Sequence, residues 1–185
     1  MDVRGYDSLP ELLVDALRRH PSATLLVEAQ RKREVARRTA ADVLREARAF
    51  AAYLQSLGID PGDRVAMLMS NQSRWSITAL GVFLAGGVLV PLDFKLSGPE
   101  QAALLAHSRP KGVVIDYPEH RKHTGYDVPV VVVSEAPEGA DLGGALRWGD
   151  HPADAVPQPV PAVGRDALAT IVYSSGTGGR PKGCM

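Results

Sequence analysis

The densest group of side chains able to handle a ligand lies near the C-terminus, where Ile171–Gly183 reads Ile-Val-Tyr-Ser-Ser-Gly-Thr-Gly-Gly-Arg-Pro-Lys-Gly. An apolar run passes directly into the hydroxyls of Ser174, Ser175 and Thr177, a set of glycines, and the cations Arg180 and Lys182. Glycines let backbone N–H groups converge on an oxyanion, because they accept positive φ and leave room for close approach. The hydroxyls can donate to phosphate-type oxygens, Lys182 supplies a mobile positive charge, and Pro181 stiffens the backbone before it. A hydrogen bond to a charged group contributes about 1.5–3 kcal/mol, so several together can hold a polyphosphate. The spacing is not that of the Gly-x-x-x-x-Gly-Lys-Ser/Thr loop, since Pro181 stands where its second glycine belongs. The chain also lacks a Gly-x-Gly-x-x-Gly dinucleotide fingerprint.

Other reactive residue types carry less. His120 and His123 have a spacing that suits metal ligation on a helix, but Arg121 and Lys122 between them repel a cation, and a solvated loop is expected. Cys184 follows the glycine-rich segment where a small apolar residue fits, so packing is expected of it. As the single cysteine it excludes an intrachain disulfide framework and a cysteine-based metal cluster; no metal site is assigned. Arg31, Lys32, Arg33, Arg37 and Arg38 are flanked by Glu28, Glu34, Asp42 and Glu46, which reads as a solvated surface.

The elements that must position the glycine-rich segment follow from periodicity and punctuation. Ser8 caps a helix over Leu9–His20, with Glu11 completing a capping box. Extended runs Thr24–Glu28 and Glu34–Arg38, separated by Gln30–Arg33, form a hairpin. Thr39 opens the helix Ala40–Leu57, whose Val43, Leu44, Ala47, Phe50, Ala51, Leu54 and Leu57 trace one face, and Gly58 closes it. Strand Arg64–Met69, a helix capped by Asn71 and running to about Ala85, strand Val88–Leu92, a helix Gly98–Ser108 capped by Ser97, and the valine-rich strands Gly112–Asp116 and Val130–Ser134 follow. Trp75 is expected as core or groove lining on its helix. This alternation argues for an α/β fold, with helices packed on a mostly parallel sheet. The proline-rich stretch His151–Gly164 is expected to cross the surface in extended form before a last strand, Ala167–Tyr173.

The chain has 185 residues, 45% of them hydrophobic, so it can bury a sizeable core. Twenty-one basic and 21 acidic residues cancel. A neutral chain lacks the field that nucleic acid or an anionic membrane surface requires, so no nucleic-acid partner is expected. No apolar stretch approaches the roughly 18 residues of a transmembrane segment, and the N-terminus has no apolar signal region. A soluble cytoplasmic protein is the default expectation.

Three segments resemble one enzyme family. Tyr173–Gly183, YSSGTGGRPKG, is similar to the phosphate-loop signature of the adenylate-forming (AMP-binding) superfamily, written YTSGTTGxPKG. Gly62-Asp63-Arg64-Val65-Ala66 followed by Asn71 is similar to its GDRVA…N stretch, and Phe83–Asp93 to its LKAGxxxVPLD segment. The latter two read as scaffold. The superfamily includes acyl-CoA synthetases, nonribosomal peptide adenylation domains and luciferases.

The resemblance implies a two-step reaction. A carboxylate attacks the α-phosphate of Mg-ATP, giving an acyl adenylate and pyrophosphate, and the thiol of coenzyme A or a phosphopantetheine carrier then displaces AMP. It assigns Ser174, Ser175, Gly176, Thr177, Gly179 and Lys182 as contacts to the β- and γ-phosphates. Gly178 departs from the pattern, which has a hydroxyl or acidic side chain there. It also implies that residues 1–185 are the N-terminal part of the AMP-binding domain, ending just after the phosphate loop. The rest of the large domain and the small C-terminal domain, with the Mg2+-binding acid and the catalytic lysine, are then absent, so catalytic residues are unassigned and the Mg2+ site is incomplete. The expected function is that of the front of an AMP-forming fatty acid–CoA ligase, with Pro91–Ser97 resembling long-chain acyl ligases, and the fragment alone is inactive. An amino-acid or aryl-acid adenylation domain feeding a carrier protein is the alternative among enzymes. A non-catalytic binding module or decayed remnant is the alternative outside them. A truncated sheet exposes strand edges, so the isolated piece is expected to self-associate.

Overall fold

Ser8 starts the first helix, accepting the Glu11 N–H on its hydroxyl, and α1 runs Leu9–Arg19. The Glu11 carboxylate returns to the Asp7 N–H at 3.0 Å, one residue before the cap. The computed structural model describes residues 5–122, 127–160, 164, 166–174 and 182–185. The chain divides into two units interleaved along the sequence: Met1–Gly58, Asn71–Gly86 and His151–Ala167, and Ile59–Ser70, Gly87–Asp150 and Leu168–Met185.

In the first unit, β1 (Thr24–Gln30) and β2 (Arg33–Thr39) form an antiparallel hairpin. Both strands are longer than the sequence indicates, because a two-residue turn joins them. Arg31 and Lys32 take positive φ of 47° and 66°, matching the right-handed twist of the flanking strands. Thr39 then caps α2 (Ala40–Ser56) in a full capping box: its hydroxyl accepts the Asp42 N–H at 3.2 Å, and Asp42 accepts the Thr39 N–H at 2.9 Å. The apolar face predicted for this helix is buried from Val43 to Leu54.

The third helix, α3 (Ser73–Leu84), departs from its prediction. Its N-cap is Gln72, not Asn71, and no N-cap side chain bonds its first turn. The carboxylate of Glu28, on β1, accepts the Ser73 N–H at 3.3 Å instead. The two long helices approach closely at Gly81, where a Cβ would lie 2.8 Å from Phe50 Cδ1 and 3.1 Å from the Ala47 carbonyl oxygen. The proline-rich segment is tied to α2. The Gln55 amide donates to the Gln158 carbonyl at 3.1 Å and accepts the Gln158 N–H at 2.8 Å, while the His151 ring packs against Phe50 and Tyr53.

The second unit is a parallel sheet of order β4-β3-β5-β6-β7. Its strands are β3 (Arg64–Leu68), β4 (Val88–Pro91), β5 (Gly112–Asp116), β6 (Val130–Ser134) and β7 (Leu146–Arg147). β5 and β6 fall on the residues predicted, since uninterrupted Val/Ile runs are what a strand buried on both faces requires. Helix α4 (Gly98–Ser108) begins where Glu100 accepts both the N–H and the hydroxyl of Ser97. It sets Leu104 and Leu105 into the core beside Ala66, Leu68, Val90, Val113 and Ile115. At the strands' N-terminal ends, Lys111 donates to Asp63 at 2.7 Å and Asp60 at 3.0 Å, and Arg64 donates to the Ser108 carbonyl at 2.8 Å. The GDRVA-like stretch is thus scaffold, as expected.

Three local expectations are corrected. Tyr117–His120 is a short helix, α5, so His120 is half-buried with Nε2 3.2 Å from the Leu142 carbonyl, not in a solvated loop; His123 lies outside the described residues. Trp148, for which the sequence indicates no role, is buried, its backbone N–H donating to the Val133 carbonyl at 2.9 Å. The last strand does not begin at Ala167: regular pairing starts with β8 (Val172–Ser174), which meets an unforeseen partner, β9 (Lys182–Cys184). Cys184 is exposed, not packed.

Gly81→Ala forces Phe50 or the helix spacing to shift and is expected to lower stability by about 1–3 kcal/mol, read from the midpoint of urea unfolding. The cap bonds from Thr39 hold the Asp42 carboxyl below its ordinary pKa, and those from Ser97 do the same for Glu100. Their contribution is therefore full above the unfolded pKa and is lost as the pH falls through the folded one. The urea midpoint should drop between about pH 5 and pH 3, and less steeply in the Asp42→Asn/Glu100→Gln double variant.

Candidate functional site

The glycine-rich segment is hung on the outer edge of β4. The Leu89 N–H donates to the Ala169 carbonyl at 2.9 Å, and the Ile171 N–H donates to the Leu89 carbonyl at 2.9 Å. The Thr170 hydroxyl donates to that same carbonyl at 2.9 Å, and Leu89 and Thr170 form a parallel bridge. Ile171 drops into the core cluster. Burying such a side chain contributes about 1.5–3 kcal/mol, so the approach to the loop is fixed by sheet hydrogen bonds and by a packed side chain.

Beyond this anchor, β8 and β9 pair antiparallel in the register Val172↔Cys184, Tyr173↔Gly183 and Ser174↔Lys182. The ladder brings the backbones of Ser174 and Lys182, the first and last of the predicted phosphate contacts, opposite each other, and Ser174 is exposed. Ser175, Gly176, Thr177 and Gly179 lie outside the described residues, as do Gly178, Arg180, Pro181 and the Lys182 side chain.

Sequence reasoning passed over two features beside this hairpin. Tyr173 reaches back to α4: its hydroxyl lies 2.6 Å from His107 Nδ1, and the two rings meet edge-on with centroids 5.6 Å apart. Burial pushes the Tyr173 phenol up from its ordinary pKa, against the opposing pull of Ser108 and Arg64, which keeps it protonated. Gly183 lies across from Tyr173, and a Cβ there would sit 3.2 Å from Ile171 Cγ2 and 3.4 Å from Tyr173 Cε1. The absent side chain leaves room for the tyrosine ring. No local sequence signal marks His107 as the partner, because 66 residues separate the two.

The second feature is at the carboxyl ends of the parallel strands. The chain steps from β3 to β4 on one side and then to β5 on the other, and at such a reversal open α/β sheets bind ligands outside the strand ends. Here Asp116, 6% exposed, accepts the Ser70 N–H at 2.8 Å and the Ser70 hydroxyl at 2.7 Å. The available signal was the polar residue ending each apolar run: Ser70, Asp116 and Ser134. Among the described residues no three His, Cys, Asp or Glu side chains are placed to hold a metal ion, so no ligand for Mg2+ is assigned. No helix among them is long and apolar enough to cross a membrane.

A five-stranded parallel sheet with helices packed on it, whose edge strand takes the backbone of residues 169–171, defines an α/β domain. The model of the AMP-binding enzyme family matches residues 13–185, and the chain belongs to that family. It is 35% identical to a feruloyl-CoA synthase of an Amycolatopsis species over 149 residues, 80% of this chain and 28% of that protein. It is 33% identical to nonribosomal peptide synthetase 7 of Gibberella zeae over 141 residues, 75% of this chain and 3% of that protein. The crystal structure of a fatty acid AMP ligase from Legionella pneumophila shares the fold, with a TM-score of 0.78 at 22% identity, over 98% of this chain and 30% of that one. The chain therefore spans less than a third of the length of these relatives.

Tyr173→Phe removes the bond to His107 and is expected to cost about 0.5–1.5 kcal/mol in urea unfolding. Gly183→Val crowds Ile171 and the tyrosine ring, and hydrogen–deuterium exchange at 182–184 should quicken while the β5–β6 amides keep their protection.

Proposed function

We propose that this chain is the N-terminal part of an ATP-dependent, AMP-forming ligase that activates a small-molecule carboxylate and passes the acyl group to a thiol. The observation that carries the reading is the hairpin that sets Ser174 opposite Lys182 and is held to the sheet through Leu89, within a chain of the AMP-binding family. The hydroxyls of Ser174, Ser175 and Thr177, the backbone at Gly176 and Gly179, and the Lys182 ammonium bind the β- and γ-phosphates of ATP. A carboxylate oxygen attacks the α-phosphorus and pyrophosphate leaves with its charge held by this loop. The thiol of coenzyme A, or of a phosphopantetheine carrier, then attacks the acyl carbon and releases AMP. Mg2+ would neutralise phosphate charge, but the residues described here supply no ligand set for it.

The chain spans less than a third of the length of these relatives, and on this reading the acid and adenine pockets lie outside residues 1–185. On this reading the 185-residue chain alone is inactive and self-associates, and the enzyme works in the cytoplasm. The acid is a fatty acid, on the likeness of Pro91–Ser97 to long-chain acyl ligases. A second reading, an aromatic acid, is favoured by the 35% identity to a feruloyl-CoA synthase, and the likeness to a nonribosomal peptide synthetase favours a carrier protein as thiol donor.

Carboxylate-dependent ATP–pyrophosphate exchange by the complete protein tests the proposal, with decanoate, palmitate, ferulate and amino acids as substrates. Exchange with the fatty acids is expected, and Lys182→Ala should lower it by on the order of 100-fold. Exchange with ferulate alone would establish the second reading. No exchange with any carboxylate would overturn both, and exchange by the 185-residue chain itself would overturn its assignment as an inactive part.

A further inference from the structure

A second candidate site, independent of the ligase reading, lies in the first unit. The end of α1, the first turns of α2 and the segment around residue 155 enclose an open cavity of about 330 Å3, within the size range of small-molecule sites. Its floor is apolar, with half-buried Leu17 and buried Leu44. Its lip carries Val156, which is 72% exposed. Arg18, Arg45 and Arg48 line it against a single carboxylate, Asp154.

The charges do not cancel. Arg45 is partly neutralised by Asp42 at 3.4 Å and Glu46 at 3.8 Å. Arg18 and Arg48 carry no ion pair among the described residues, and the nearby Asp15 is taken by Arg19 at 2.7 Å. The wall is held in place as well, because the reciprocal bonds between Gln55 and Gln158 pin the segment that bears Asp154 and Val156. A fixed apolar trough rimmed by unpaired guanidinium groups is complementary to one kind of molecule. We infer that it binds a small organic anion with an apolar body, a carboxylate of aromatic or short aliphatic type. The apolar part lies over Leu17 and Leu44 and under Val156, and the carboxylate faces Arg18 and Arg48, for which a guanidinium fork suits a planar anion.

The probe is 2-naphthoate, with its neutral isostere 2-naphthamide as the control, titrated into the isotopically labelled complete protein and followed by 1H–15N TROSY NMR. Naphthoate is expected to shift amides of residues 17–20, 41–48 and 154–156 with a dissociation constant of about 0.1–1 mM, at least tenfold tighter than naphthamide. The Arg18→Gln/Arg48→Gln variant should lose that tenfold advantage while its urea midpoint stays unchanged. Val156→Ser should weaken both probes equally. Added salt should weaken naphthoate alone, since it screens an exposed ion contact. Equal binding of acid and amide, shifts confined to other residues, undiminished binding by the double arginine variant, or no binding at 10 mM would each overturn the inference.

Discussion

β4 is an apolar strand at the edge of a parallel sheet, and its outer N–H and C=O groups need partners. An unpaired buried backbone group costs about as much as a lost hydrogen bond. Leu89 meets this constraint by taking the backbone of residues 169–171, donating to Ala169 and accepting from Ile171 and Thr170. The rest of the candidate site follows from that pairing. The strand that reaches the glycine-rich loop has its direction set by β4 and its depth by Ile171 in the core. The β8–β9 ladder then decides where the loop begins and where it returns.

The segments most similar to the family's signatures divide into two physical kinds. The stretch around Gly62–Ala66 is structural. Asp63 and Asp60 hold Lys111, whose pKa is raised by those bonds, and Arg64 takes a carbonyl of α4, so the N-terminal ends of β3 and β5 and the end of α4 are locked together. The stretch Val88–Pro91 provides the edge on which the loop hangs. Only Tyr173–Gly183 has the composition for ligand chemistry, and within it Tyr173 and Gly183 work on packing: the ring needs the space that a side chain at 183 would take.

Much of this was legible locally. Hydrophobic period placed α1, α2 and α4 within about one residue, and the cap residues Ser8, Thr39 and Ser97 are where the pattern of side-chain oxygen followed by an acid three residues on puts them. Valine runs placed β5 and β6. Where the reading failed, the deciding partner was distant in sequence. Asn71 carries a good capping side chain, yet the first turn of α3 is served by Glu28, 45 residues earlier. The hairpin turn at Arg31-Lys32 lacks the Asn-Gly or Asp-Gly signal that normally announces positive φ at both positions, so residue pattern alone makes both strands too short. His120 looked solvated because charges flank it, but α5 turns it toward the Leu142 carbonyl.

The sequence by itself determined the class of the molecule: strand–helix alternation and apolar strands set an α/β sheet, and the run from Ser174 to Lys182 holds oxyanion-binding groups at a spacing similar to one family. Those features are local, since propensity, capping and motif composition depend on neighbours a few residues apart. Tertiary structure alone decided that Leu89 anchors the loop, that His107 holds Tyr173, that Ser70 and Asp116 tie two strand ends, and that Arg18 and Arg48 overlook an apolar trough. Each of these joins residues from separate elements, and which groups then share a hydrogen bond or a surface is settled by strand order and helix packing, not by the residues themselves.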